Sequence, residues 1–336
     1  MSAALPPALP AISATSGRAA KNPEEPLPEP FFADSRALRR NFNRAAATFA
    51  RSDALHREVG TRMQERLGYI KLDVRAALDL GCATGGALPG LSERYPQVTL
   101  TALDFAFEMV RCAVPAPSLL GRLRERVKGA RLHAACASMA ALPFGHGSFD
   151  LVWSNLALHW LDDPALAVRE AHRVLRSGGL FMFSTLGPDS LKELRAAWGE
   201  ADASAGASAA APAAKWRVKR FIDLHDIGDL LLESGFATPV MDMESIVLTY
   251  EQVDKLFDDL GNTGSVNAML GRPRGLTGKS AWARMRESYE RLRGTERLPA
   301  TFEVVYGHAW KAPLRKTSGG VEVVRFVERG LRGGLR

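Results

Sequence analysis

The chain has 336 residues, 46% hydrophobic and 24% charged, an ordinary composition for a globular protein of one large or two modest domains. No apolar run approaches the ~18 residues of a membrane span, and three scattered cysteines, Cys82, Cys112 and Cys136, exclude a disulfide framework or a CxxC site. The formal charge of +7 suits nucleic acid, an anionic membrane or an acidic protein equally, and by itself selects none of them.

Residues 1–30 are rich in Ala and Pro, with Pro23, Pro26, Pro28 and Pro30 closing the segment, which reads as a disordered leader. It lacks the charged start and apolar core of a secretory signal. Pro6, Pro7 and Pro10 break the helix a mitochondrial presequence needs, so a cytoplasmic location is expected. Two helices then occupy residues 31–70: Asp34–Ala50, capped by Asp34 or Ser35, and Asp53–Leu67. Beyond them strand and helix alternate. Strands are predicted at Ala76–Leu80, Val98–Leu103, Arg131–Ala135, Phe149–Ser154 and Leu180–Thr185, and helices at Leu88–Tyr95, Ala106–Val114 and Pro164–Leu175. This alternation predicts an α/β fold with a doubly wound parallel sheet. Arg176-Ser177-Gly178-Gly179 supplies glycines suited to capping the last of these helices.

Further helices are expected at Asp189–Trp198, Ile222–Ser234 and Ser280–Arg293, with an Ala/Ser-rich surface loop over Ala201–Ala214. In the last helix Trp282, Met285, Tyr289 and Leu292 share one face, and Arg284, Arg286, Arg291 and Arg293 lie around it. Arg272, Arg274, Lys279 and Arg297 are close in sequence. Val240–Thr249 and Thr301–Trp310 read as strands at an antiparallel end of the sheet, and residues 313–336 as a flexible tail.

The most informative stretch is Ala77-Leu78-Asp79-Leu80-Gly81-Cys82-Ala83-Thr84-Gly85-Gly86, a buried strand running into a glycine-rich turn. About twenty residues on, a second strand ends at Asp104. A turn free of bulky side chains lets backbone N–H groups approach a nucleoside-like ligand, and a carboxylate one strand over can grip two ribose hydroxyls. A dinucleotide site needs glycine where Ala83 stands, so that its backbone can approach the pyrophosphate. S-adenosylmethionine has no pyrophosphate, and the turn points to that cofactor. No His/Cys/Asp cluster has metal-ligand spacing, so no metal is expected.

Three further pieces join Leu78–Gly85 and Asp104: Ala137-Ser138-Met139-Ala140-Ala141-Leu142-Pro143-Phe144, Gly147–Asn155 and Arg173–Gly179. Together they resemble class I S-adenosylmethionine-dependent methyltransferases, in that family's order. The resemblance implies a Rossmann-like, mainly parallel seven-stranded sheet over residues 71–312, with N-terminal helices, a loop at 199–216 and a helical lid at about 250–298. It also implies cofactor contacts from Asp79, Gly81, Cys82, Ala83, Gly85, Asp104, Met109, Ser138, Met139 and Asn155. Ser138 stands where many members carry aspartate, and a hydroxyl is a weaker acceptor than a carboxylate.

Asn41–Phe49, Ser154–Trp160, Ser184–Arg195 and Pro299–Gly307 narrow the match. They resemble the malonyl-acyl-carrier-protein O-methyltransferases of biotin synthesis, from about residue 36 to 312. That implies methyl transfer to the free carboxylate of a malonyl thioester on acyl carrier protein, with Arg44, Asn155, His159 and Trp160 as pocket candidates. The basic cluster around 280–293 would then dock the acidic carrier. The same pieces resemble a mitochondrial assembly factor that hydroxylates an arginine, so a protein-modifying enzyme and a catalytically silent assembly factor are the alternatives. A malonyl carboxylate is ionised at neutral pH and already nucleophilic, so no catalytic base is expected, and His159 is assigned to pocket lining. No nucleic-acid-binding motif is present.

Overall fold

A computed structural model describes residues 32–114, 131–204, 217–272 and 275–312. The expected leader, most of the Ala/Ser-rich loop, the tail and Arg274 lie outside the described residues. Seven strands form one sheet in the order β3-β2-β1-β4-β5-β7-β6. They are β1 (Ala76–Leu80), β2 (Thr99–Asp104), β3 (Arg131–Cys136), β4 (Phe149–Ser154), β5 (Leu175–Leu186), β6 (Phe236–Tyr250) and β7 (Leu298–Lys311). The first five pair in parallel, and β7 runs antiparallel between β5 and β6. Order reverses between β1 and β4, so the crevice outside their carboxyl ends is where an open α/β sheet binds ligands.

The central strands read as apolar runs because both faces are covered. Leu78, Leu80, Phe181 and Phe183 enter one buried cluster; Ala77, Leu151, Trp153 and Met182 enter the opposite one. Helices α3 (Leu88–Arg94), α4 (Phe107–Ala113) and α5 (Pro164–Val174) belong to the parallel half. Then come α6 (Lys192–Ala203), α7 (Leu224–Glu233), α8 (Val253–Asn262) and α9 (Lys279–Glu290), the last two between β6 and β7.

Among the boundaries that differ from expectation, three have a clear physical cause. The first helix, α1, spans Ser35–Ala45 with the Asp34 carboxylate accepting from Ala37 N, and stops five residues short of Ala50. Thr48 ends it, its hydroxyl donating to the carbonyls of Ala45 and Asn262, and a separate 3₁₀ turn covers Phe49–Arg51. The α6 helix runs on through Ala203, into the expected loop, because Ala197, Trp198 and Ala201 are buried. The glycines of Arg176–Gly179 are not a helix cap. Helix α5 ends at Val174 and the glycines lie inside β5, where a Cβ on Gly179 would sit 3.1 Å from the Asp150 carbonyl of β4. Close strand approach, rather than helix termination, requires glycine there.

The two N-terminal helices are fastened to different parts of the sheet. From α2 (Ala54–Gly68), Leu55, Val59, Met63 and Leu67 enter the large cluster. On its outer side Arg66 pairs with Asp242 of β6 at 2.8 Å and lies 4.0 Å over the Tyr306 ring. By contrast α1 forms a small third cluster through Ala37, Leu38, Phe42 and Ala45 with Met109 of α4, and Asn43 accepts from Glu108 N at the start of α4.

Gly307 makes the antiparallel end compact: a Cβ there would lie 2.6 Å from Phe183 Cε1 and 2.9 Å from Met241 Sδ. Phe183 is wedged by stacking on Phe181 at 4.9 Å and cannot retreat freely. Gly307→Ala should therefore lower stability by about 1–3 kcal/mol, as overpacking does, and Phe183→Leu should restore part of it. Chemical unfolding of the single and double variants tests this; an additive double variant would show that the two positions do not compete for space.

Candidate functional site

The β1–β2 turn is pinned by the backbone. Gly81 N and Cys82 N both donate to the Leu103 carbonyl, at 2.8 and 2.9 Å. Gly81, Ala83 and Gly85 all take positive φ, of 81°, 45° and 86°. Gly81 is obligatory, since a Cβ would collide with the Ala157 side chain. Ala83 holds the left-handed conformation at a cost of roughly 1–2 kcal/mol. Its N–H offsets part of that by donating to Asp104 Oδ2 at 3.0 Å.

Asp104 accepts a second backbone bond, from Ala106 N to Oδ1 at 2.9 Å, which leaves each oxygen one further lone pair. Asp79, on the adjacent strand, is 2% exposed, and its Oδ2 has no hydrogen-bond partner. Burial, then the neighbouring Asp104 charge, raises the Asp79 pKa to about 7. Burial also raises Asp104 to about 6, against the pull of its backbone donors. Two carboxylates out of water with no cation between them are a site built for a positively charged ligand.

The other expected cofactor residues surround this pair. Met139 is buried with its Cε over the Gly81 turn, and Ser138 is exposed just past β3, its hydroxyl accepting from Ala140 N. Met109 is fully buried beneath α1. Cys82 is buried, and burial with the two carboxylates pushes its thiol well above its usual pKa, so it fills space and is no nucleophile. Among the described residues no cluster could hold a metal ion.

Beyond the turn lies a cavity of about 440 Å³. Its walls come from α1, α2, the 3₁₀ turn Leu158–Trp160, the β5–α6 connection and the α8–α9 segment, with Leu38, Leu156, Leu194, Phe221, Phe257 and Trp282 as apolar lining. The β5–α6 connection is held by Glu303 of β7, whose carboxylate accepts from Asp189 N at 2.6 Å and whose carbonyl accepts from Gly187 N and the Ser190 hydroxyl.

Of the four pocket candidates, His159 and Trp160 line the cavity and two do not. Arg44 is exposed on the outer side of α1. Asn155 is bound to protein instead: its Nδ2 donates to the His56 carbonyl and its Oδ1 accepts from Ser184 Oγ, both at 2.8 Å. It thereby ties α2 to the ends of β4 and β5. His159 is enclosed, 3.4 Å from Thr185 Oγ1, and burial holds its pKa well below 6.5. The imidazole is neutral and a weak base.

Two cavity residues escape the sequence reading. His56 is half-buried with its Nδ1 enclosed and without a partner, and burial lowers its pKa to about 4. Lys219 donates to the His159 carbonyl and lies 5.9 Å from the Trp160 ring centroid, and desolvation lowers its pKa to about 8. In sequence both look like solvated polar residues, and only the tertiary cavity buries them. The cavity's other cations are tied down: Arg217 to Asp202 at 2.9 Å, and Arg272 to the Met269 carbonyl at 2.7 Å and Asp34 at 3.4 Å.

The basic cluster of α9 is neutralised. Arg286 pairs with Asp254, Arg291 with Glu200 and Glu287, and Arg293 with Glu290, while Arg284 donates to the Ala201 carbonyl. The buried face is shorter than expected too: Met285 and Tyr289 are buried but Leu292 is exposed, beyond the helix end.

The carboxylate pair sets a pH dependence. In the folded, ligand-free protein Asp79 holds its proton up to about pH 7, whereas an unfolded aspartate loses it near 3.8. The folded state binds more protons across that window, so this group's contribution makes stability fall as pH rises through it. Asp79→Asn should therefore unfold at higher temperature than the parent above about pH 7, by up to a few kcal/mol, and the gain should shrink towards pH 4. Thermal unfolding across that range tests it; a loss of stability above pH 7 would place Asp79 in contact with a cation, and a gain that does not change with pH would mean that its pKa is not raised by folding.

Residues 78–183 match a family described as "Methyltransferase domain". Over nearly its whole length the chain is also similar to proteins named malonyl-[acyl-carrier protein] O-methyltransferase. That of Laribacter hongkongensis is 47% identical over 89% of this chain and 98% of its own. Those of Gallionella capsiferriformans and Methylovorus sp. are 45% and 44% identical, over 88% and 89% of this chain and 97% of each relative. Matched by these relatives almost end to end at 44–47% identity, the chain belongs to the malonyl-[acyl-carrier protein] O-methyltransferase family.

Proposed function

We infer that the protein transfers a methyl group from S-adenosylmethionine to the free carboxylate of a malonyl thioester on acyl carrier protein, an early step of biotin synthesis. The observation that carries this reading is the buried Asp79–Asp104 carboxylate pair, with Asp79 Oδ2 lacking a partner, together with a largely apolar cavity that holds Lys219. When bound, the cofactor supplies a cationic amino-acid end, a ribose diol and a methyl group on a good leaving group. Asp79 and the Gly81–Gly85 backbone fit the cationic end, the remaining lone pairs of Asp104 fit the diol, and Ser138 with Met139 flanks the adenine.

Lys219 is the cavity cation least neutralised by protein, and it is the residue we assign to the malonyl carboxylate. That carboxylate needs no deprotonation at neutral pH. The chain's task is to hold it in line with the methyl carbon and to exclude the water that solvates it. His159 lines that space as a neutral ring and takes no proton. The α8–α9 segment, which supplies Phe257 and Trp282 to the wall, would serve as the lid.

Mass measurement of malonyl-carrier incubated with the cofactor should show a methyl ester; no methylation would sink the reading in favour of a silent assembly factor. Methyl transfer within a preformed complex should be nearly flat from about pH 6.5 to 8.5, and His159→Gln should keep most of the rate. The Michaelis constant should rise above about pH 8, where free Lys219 loses its proton. Lys219→Met should raise that constant roughly tenfold or more, the weight of a charge-assisted hydrogen bond, for the carrier substrate and a small malonyl thioester alike. A histidine-like inflection in single turnover that vanishes in His159→Gln would instead make His159 a base.

A further inference from the structure

We propose that α1, rather than α9, is the surface on which the acidic carrier protein docks; this rests on the malonyl-carrier reading above. Helix α1 carries four arginines, and α9 with the turn that follows it carries another four; charge balance separates the two. On α9, three of the four face carboxylates within 4 Å, so the helix presents little net field to a partner. On α1, Arg36, Arg39, Arg40 and Arg44 are exposed, and none forms an ion pair among the described residues. Arg36, Arg40 and Arg44 recur every four residues and so form one stripe, with Arg39 beside it.

The helix has no acidic residue of its own. Its capping Asp34 is occupied by Ala37 N and Arg272. Nearby acids are also taken: Glu108 pairs with Arg111 and Asp53 with Arg57. A stripe of unpaired guanidinium groups is what an acidic helical partner recognises, and it steers that partner's approach.

Position supports the same surface. The opposite face of α1 is a wall of the substrate cavity, since Leu38 and the preceding Ala33 line it. Phe42, one turn on, packs edge-on against Trp160 at 5.1 Å. A carrier held on the outer stripe is thus one helix thickness, about 10 Å, from the cavity that takes its acyl group. The sequence pattern alone pointed to α9, because pairing with acids from other elements is invisible in it.

The test compares Arg36→Glu/Arg40→Glu and Arg286→Glu/Arg293→Glu variants with the parent, on malonyl-carrier and on a small malonyl thioester. The α1 double variant should raise the Michaelis constant for the carrier roughly tenfold, spare the small thioester and lose most of the parent's salt sensitivity. The α9 variant should change the carrier constant far less. An unchanged carrier constant in the α1 variant, equal losses on both substrates, or a larger carrier effect from α9 would overturn the proposal. Should charge reversal lower the melting temperature, the milder Arg36→Gln/Arg40→Gln pair should move the carrier constant in the same direction, and no movement in that folded pair overturns it. A parent enzyme that methylates neither substrate would refute the malonyl reading itself.

Discussion

Two backbone hydrogen bonds, from Gly81 and Cys82 N–H to the Leu103 carbonyl, fix the site end of the sheet. They force the chain to turn immediately after β1, which leaves Asp79 and Asp104 on adjacent strand ends with no water to solvate them. Turn and carboxylates are interdependent, because Asp104 spends one lone pair on the Ala83 N–H that keeps the turn in its left-handed conformation. A ligand that meets the carboxylates relieves a penalty the fold already carries. Binding energy therefore comes partly from a strained and desolvated resting state, not only from new contacts.

The same economy of groups recurs on the other side of the crevice. The Ser184 hydroxyl donates to Asn155 and accepts from Leu156 N, while the Asn155 amide reaches across to α2. Asn155, a pocket candidate by sequence, is thus with Ser184 a joint between β4, β5 and α2. The two leave the reaction space lined mainly by aromatic and aliphatic groups, with two neutral imidazoles and Lys219 among them. For a nucleophile already ionised in water, a dry, shaped enclosure is the useful contribution a protein can make.

How much of this could be read from the sequence follows from where each signal resides. The strands and the Asp79–Asp104 pairing were legible because burial on both faces forces apolar runs, and a tight turn forces glycine. Gly178 and Gly179 were misread as a cap because glycine marks a positive φ, close approach and helix termination alike; in β5 Gly178 has φ 78° and Gly179 lies against β4. Arg44 and Asn155 were placed in the pocket by their position in matching motifs, but a helix has two sides and an amide can be consumed by the backbone. His56 and Lys219 carry no local signal at all, because the walls around them come from residues as far apart as 33 and 302.

The division of anchorage between the two N-terminal helices has a thermodynamic consequence. Helix α2 shares the large hydrophobic cluster and an ion-paired seam with β6, so freeing it means disrupting the antiparallel end of the sheet. Helix α1 rests on a satellite cluster of a few residues around Met109 and Phe42. In hydrogen-exchange terms this anchorage sets up different cooperative units: α1 should open at a free energy below that of global unfolding, and α2 should exchange with the core. The enclosure can thus be breached from one side, by a local fluctuation, while the strands that hold the carboxylates stay folded.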